Sequence, residues 1–328
     1  MVLICFLFAA APQSVAAVDE NNTPDYVYLG GEAFGIKMFS KGAVVIKFED
    51  FESEAGNICP AKSAGIKKND IVLKADDEEI STNEQLEQIV SDCSGDEINL
   101  TVSRENETVT IPVTPAADKK GEYKLGIWVR DSCAGIGTVS YYTDEGEFAA
   151  LGHGICDSDT GQLMPLKWGE AVKAGISGAN KAKPGSAGSL NGYFENDKIG
   201  IIEENTDKGI FGTGDSPDIK PKIEIAETDE VKCGKASLYT TAGSQGVCEY
   251  AVEIKNISDR SCNTNKNFVI KITDERLLNV TGGIVQGMSG SPIVQNGKLV
   301  GVLNHVFVNT PEKGYCIFAQ NMVSKAKG

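Results

Sequence analysis

Apolar positions along this chain fall into many short runs rather than long helical stripes. Ala43 to Phe48 alternates apolar and polar enough to predict a half-buried strand. Ile98 to Val102 and Thr108 to Val113 alternate strictly, and Arg104-Glu105-Asn106-Glu107 between them predicts a hairpin turn. Pro60 to Ala64 predicts a short helix stopped by Gly65, which tolerates the positive φ of a helix end, with a strand resuming at Ile71. Ser81 offers a hydroxyl to the first turn of a second helix, whose apolar positions Leu86, Ile89 and Val90 recur at helical spacing.

The pattern changes after the polar, breaker-containing stretch Pro115 to Gly121. From Leu125 onward, short apolar runs alternate with glycine-rich turns: Leu125 to Val129, Ile136 to Tyr142, Tyr250 to Ile254, Phe268 to Ile272, Leu299 to Phe307 and Tyr315 to Phe318. Evenly spaced short strands with little helix predict β-barrels. Residues 179 to 235, rich in Gly, Lys, Asp, Glu and Pro, read as long loops with a few strands, joining two strand-rich halves. The expected organisation is a leader and stalk over 1–27, a small domain over 28–115 and a larger, mainly β domain over 122–328.

Composition narrows the partners. In 328 residues, 46 acidic side chains outnumber 31 basic ones, for a formal charge of -15. The basic surface that nucleic acids require is missing, and anionic lipid headgroups are repelled, so membrane attachment has to come from an apolar segment. Val2 to Ala17 is such a segment, too short for a comfortable transmembrane helix and followed by small residues, and it reads as a signal peptide or anchor. Export is therefore expected. Eight cysteines remain outside that leader, a number compatible with disulfides, although their spacing gives no pairing. No CxxC pair occurs, and His153 with Cys156 is an isolated couple, so neither a metal nor a cofactor is expected.

One short segment carries chemistry. In Gly287-Met288-Ser289-Gly290-Ser291-Pro292, the glycines allow a tight turn that presents Ser289 outward while its own N–H and that of Gly287 point the same way, as an oxyanion hole requires. A serine hydroxyl needs a base, and the chain has two histidines. His153 lies between Gly152 and Gly154 at a strand end, whereas His305 lies inside the strand behind the nucleophile and reads as structural or as part of a substrate groove. The orienting carboxylate is Asp274, at the end of an apolar strand 15 residues before Ser289, or its local competitor Asp157.

Residues 28–115 resemble a PDZ domain, most specifically in Pro60-Ala61-x-x-Ala64-Gly65-Ile66-x-x-x-Asp70. That resemblance implies capture of an extended peptide by strand addition, here expected at Phe34, Gly35, Ile36, Lys37 and Met38, although Gly31-Glu32-Ala33-Phe34 departs from the usual carboxylate loop. Gly152-His153-Gly154, Ile272-Thr273-Asp274, Thr281 to Pro292 and His305 to Asn309 together resemble the SpoIVB peptidases, the stage IV sporulation protein B family. The resemblance spans the chain and implies a PDZ domain followed by a chymotrypsin-like double barrel with Ser289 as nucleophile, His153 as base and Asp274 as orienting acid. It also implies secretion into the space between the forespore membranes. The expected partners there are the chain's own N-terminal segment and an inhibitory membrane-protein subunit, whose cleavage triggers late mother-cell sigma factor activation. The competing expectation is a catalytically silent peptide-binding scaffold. Gly283, six residues before Ser289, argues against a strong preference for basic side chains.

Overall fold

The computed structural model describes residues 25–105, 107–214, 222–258 and 264–324. The apolar leader and the stalk up to residue 24 lie outside the described residues, among which no helix is long and apolar enough to cross a membrane.

Two closed antiparallel barrels form the body. In the first, Ala33–Phe48 pairs with Leu166–Asn180, which continues through Gly188–Thr206, Gly209–Gly214, Glu147–Ala150 and Ile127–Tyr142 and so back to Ala33–Phe48. In the second, Gly234–Thr241 pairs with Val247–Ile257, then Phe268–Ile272, Lys313–Phe318, Lys298–Val306 and Pro292–Gln295, which returns to Gly234–Thr241. Closure gives each of these strands two partners and leaves little exposed edge. The inward faces supply separate cores: Phe34, Ile36, Met38, Phe148 and Ile202 in the first barrel, and Leu238, Ile254, Phe268, Ile270 and Phe318 in the second. A third apolar cluster, including Val27, Tyr141, Leu299 and Ile317, joins them. The strand Tyr26–Leu29 runs antiparallel to Lys222–Ile225, which in turn lies parallel to Lys298–Val306 of the second barrel.

The PDZ domain grows out of the first barrel. Ala33–Phe48 is one continuous strand whose first half lines the barrel and whose second half, from Ala43, pairs with Ile71–Ala75 of the smaller domain. The hairpin of Ile98–Arg104 with Glu107–Val113 forms as the alternation predicts. Both sit on a core of Val45, Val72, Leu86, Val90, Leu100 and Val102. Gly65, at φ 95, ends the first helix. The second helix, Asn83–Asp92, begins one residue later than expected: Thr82 is the cap, accepting from the Gln85 amide in a reciprocal capping box. The hydroxyl of Ser81 instead accepts from Lys167 Nζ at 2.9 Å.

The stretch read as long loops with a few strands contains the long strand Gly188–Thr206, whose middle residues are exposed. One expectation needs correction. Phe34 to Met38 cannot accept an added peptide, because the strand there is paired on one edge with Cys133–Gly137 and on the other with Gly169–Lys173. The seven described cysteines, Cys59, Cys93, Cys133, Cys156, Cys233, Cys248 and Cys316, are free thiols. Cys5 and Cys262 lie outside the described residues.

Candidate active site

The seam between the barrels brings together the Ser289 turn, the His153 loop and the strands that carry Thr138 and Asn304. Gly287 and Gly290 take φ of 99° and 103°, a region L-residues rarely enter, and they bracket Met288 and Ser289 in a tight turn. A Cβ at Gly290 would land inside the Thr138 carbonyl, so close passage of two backbones makes glycine obligatory there. The turn is held from the first barrel: the Thr138 amide donates to the Ser289 carbonyl at 2.9 Å, and the Thr138 hydroxyl donates to the Gly287 carbonyl at 2.7 Å. From the second barrel, Gly290 N–H donates to Leu303 O at 2.7 Å. Met288 is fully buried beneath Ser289, which is half-buried. Among the described residues the Ser289 amide has no protein acceptor, leaving it available to a developing oxyanion.

Ser289 Oγ donates to the Asn304 carbonyl at 2.8 Å. The next residue in that strand, His305, stacks on His153 with ring centroids 4.8 Å apart and planes 26° apart. Asn304 also extends its side-chain amide to the Gly152 carbonyl at 3.5 Å, so the His153 loop and the strand behind the nucleophile run side by side. No hydrogen bond joins Ser289 to His153 among the described residues; catalytic contacts of this kind commonly tighten when substrate binds.

His153 Nδ1 lies 2.8 Å from the Gly154 carbonyl. A carbonyl only accepts, so Nδ1 carries the proton in this pair and Nε2 keeps its lone pair, the tautomer a general base needs. Burial pushes the His153 pKa below its ordinary value, against the smaller upward pull of the Gly154 carbonyl. His305 is held down to about 4, first by burial and then by His153 and Lys266. Both rings are neutral at pH 7, so they stack without charge repulsion.

Among the described residues neither expected carboxylate is hydrogen-bonded to the imidazole, whose ring hydrogen bond is to the Gly154 carbonyl. Asp274 caps the helix Glu275–Thr281, accepting from the Arg276 amide at 2.9 Å and the Ala251 amide at 3.1 Å. Its ion pair with the Arg276 guanidinium, 2.7 Å long, is the main reason its carboxyl is held down to about 2. The strand before it belongs to the second barrel, whereas His153 follows a strand of the first, and Asp274 opens on a surface groove with Tyr239, Glu249 and Asn296. Asp157 is buried in an ion pair with Arg130 at 2.6 Å and accepts from the Asp159 and Thr160 amides. Among the described residues no cluster suited to a metal ion occurs.

Two residues of this site escape sequence reasoning. Thr138 is a fully buried hydroxyl within the apolar run Ile136 to Tyr142, and Asn304 is a buried amide ending the run Leu299 to Leu303. In each, the signal is a polar side chain inside a strand too apolar to need one.

The family model described as SpoIVB peptidase S55 matches residues 121–323, and the PDZ domain model matches residues 33–114. The chain belongs to the SpoIVB peptidase family. It is accordingly a PDZ-containing serine endopeptidase, whose substrates are peptides or proteins. No curated protein matches it. Among solved structures, the active form of the Rv3671c protease from M. tuberculosis is 13% identical, with a TM-score of 0.36 over 58% of this chain and 71% of that one. An HtrA-type protease, AlgW with a decapeptide, is 12% identical, with a TM-score of 0.35 over 63% of this chain and 56% of that one.

Proposed function

We propose that Ser289 is the nucleophile of this SpoIVB peptidase and His153 its general base. The observation that carries the reading is the Ser289 turn, built on two left-handed glycines and braced by Thr138. It lies against the same strand, Lys298–Val306, that stacks His305 on the base. In this reading Ser289 Oγ attacks the scissile carbonyl while its proton passes to His153 Nε2; the oxyanion is taken by the amides of Gly287 and Ser289, and the imidazolium protonates the leaving amine. Water then repeats the sequence on the acyl-enzyme. The Gly154 carbonyl, not a carboxylate, orients the imidazole in this arrangement. Asp274, the acid implied by the family resemblance, acts from the cap of the helix that leads into the catalytic turn.

The family resemblance supports the wider assignment: an exported enzyme of sporulation signalling, anchored or released through residues 2–17, that works between the two forespore membranes. There it trims its own N-terminal stalk and cleaves an inhibitory membrane-protein subunit exposed to that space. N-terminal sequencing of the purified chain beside Ser289→Ala tests the self-cleavage. The expected result is a new N-terminus between Ala17 and Tyr28 in the wild type alone; identical termini would overturn it.

A further inference from the structure

Two backbone segments wall the space beside Ser289. One is the stretch that leads into the turn, residues 283–286, and the other is the end of the strand Lys298–Val306. The first is fixed on both sides. Ile284 N–H donates to the Pro311 carbonyl at 2.7 Å, and Val285 and Gln286 run parallel to Gly188 and Ser189. The second keeps its pairing with Lys313–Phe318 on one edge, whereas its partner on the other edge, Pro292–Gln295, stops at Pro292 opposite Val302. From Asn304 to Val306 that edge has no strand partner among the described residues.

This open edge fixes where a substrate residue must lie. A scissile carbonyl whose carbon meets Ser289 Oγ and whose oxygen meets the Ser289 amide comes to rest beside the Asn304 carbonyl, which Oγ already reaches at 2.8 Å. The residue that owns the carbonyl therefore adds against the open edge, with its side chain directed into the gap between the two segments. The protein itself fills most of that gap.

Ile284 from one wall and Leu303 from the other are both buried, and they meet over Gly314 of the neighbouring strand Lys313–Phe318. A Cβ added to Gly314 would lie 2.6 Å from Ile284 Cδ1 and 2.9 Å from Leu303 Cδ1, so not even a methyl group fits at that point. Both side chains belong to the core of the second barrel, where close packing leaves them little freedom to retreat. Their surfaces are apolar and offer nothing to an ammonium or guanidinium group. We propose that Ile284 and Leu303 set the specificity of this peptidase, leaving room for a small apolar side chain, alanine or valine, on the acyl side of the scissile bond and excluding aromatic and long basic ones. This rests on Ser289 being the nucleophile and adds which bonds it cleaves.

The test uses the full chain and a panel of peptidyl coumarin amides that differ only in the residue before the coumarin: alanine, valine, leucine, phenylalanine or lysine. The alanine and valine substrates should exceed those of phenylalanine and lysine by about 100-fold in kcat/KM. Ile284→Ala should raise the ratio of phenylalanine to alanine turnover about tenfold or more. Ile284→Val, one methylene smaller and gentler on the fold, should move preference toward leucine severalfold, so the claim stays testable if the alanine variant does not fold. Labelling of Ser289 by a fluorophosphonate reads the nucleophile separately. A labelled enzyme that prefers phenylalanine or lysine, cleaves none of the panel, or keeps its preference in the folded Ile284 variants would overturn the specificity proposal alone. A folded chain that takes no label would overturn the Ser289 reading, and this proposal with it.

Discussion

Replacing Thr138 with valine removes one hydroxyl from a fully buried position and nothing else of comparable size. That hydroxyl donates to the Gly287 carbonyl at 2.7 Å, and Gly287 is itself buried, so no solvent replaces the lost donor. Leaving a buried acceptor unsatisfied costs about 1 to 3 kcal/mol. The backbone bond from Thr138 N to Ser289 O survives, so the turn should persist but hold Gly287 less firmly. An oxyanion-hole donor is worth about 3 to 4 kcal/mol in the transition state, and a turn that samples misaligned states forfeits part of this. The expected outcome is a fall of about 10- to 100-fold in kcat with KM little changed, alongside the loss of stability. Steady-state hydrolysis of a peptide substrate and urea denaturation measure the two effects, and Thr138→Ser, which keeps the donor, should restore both. A Thr138→Val enzyme with undiminished kcat would refute the claim that this bond preorganises the turn.

Other outcomes follow from the same geometry. Because burial lowers the pKa of His153, the base stays unprotonated to lower pH than a free imidazole, so the acid limb of kcat/KM should fall below pH 6.5; a midpoint above that value would contradict the environment described. Asp274→Asn keeps a capping side chain and should cost less stability and activity than Asp274→Ala, whose cap loss is worth about 1 kcal/mol. Equal losses of about 10⁴ in kcat for both would return Asp274 to the imidazole. Iodoacetamide should label the exposed Cys156 and Cys233 in the folded enzyme and reach the buried Cys59 and Cys316 only after unfolding, as mass spectrometry would show.

What the sequence discloses is chiefly local. The Ile98 to Val113 hairpin, the Gly65 stop and the two-barrel strand rhythm follow from neighbours a few residues apart, and so does the glycine-framed Ser289 turn. Pairing partners are different, because they are chosen by distant segments. The alternation of Ala33–Phe48 says that a strand is present but not that it serves two domains, and so it does not disclose that Phe34 to Met38 is paired on both edges. Asp274 follows an apolar strand and lies in a motif of the family resemblance, yet a local motif does not report which barrel a strand end belongs to. The bracing by Thr138 and Asn304 is equally nonlocal, arising only where the barrels meet.

The most direct measurement is active-site labelling with a fluorophosphonate probe, followed by peptide mapping of the adduct. The account predicts one adduct, on Ser289, abolished by His153→Ala and retained in Asp274→Asn. An adduct on another serine, or none on an intact, folded chain, would contradict it.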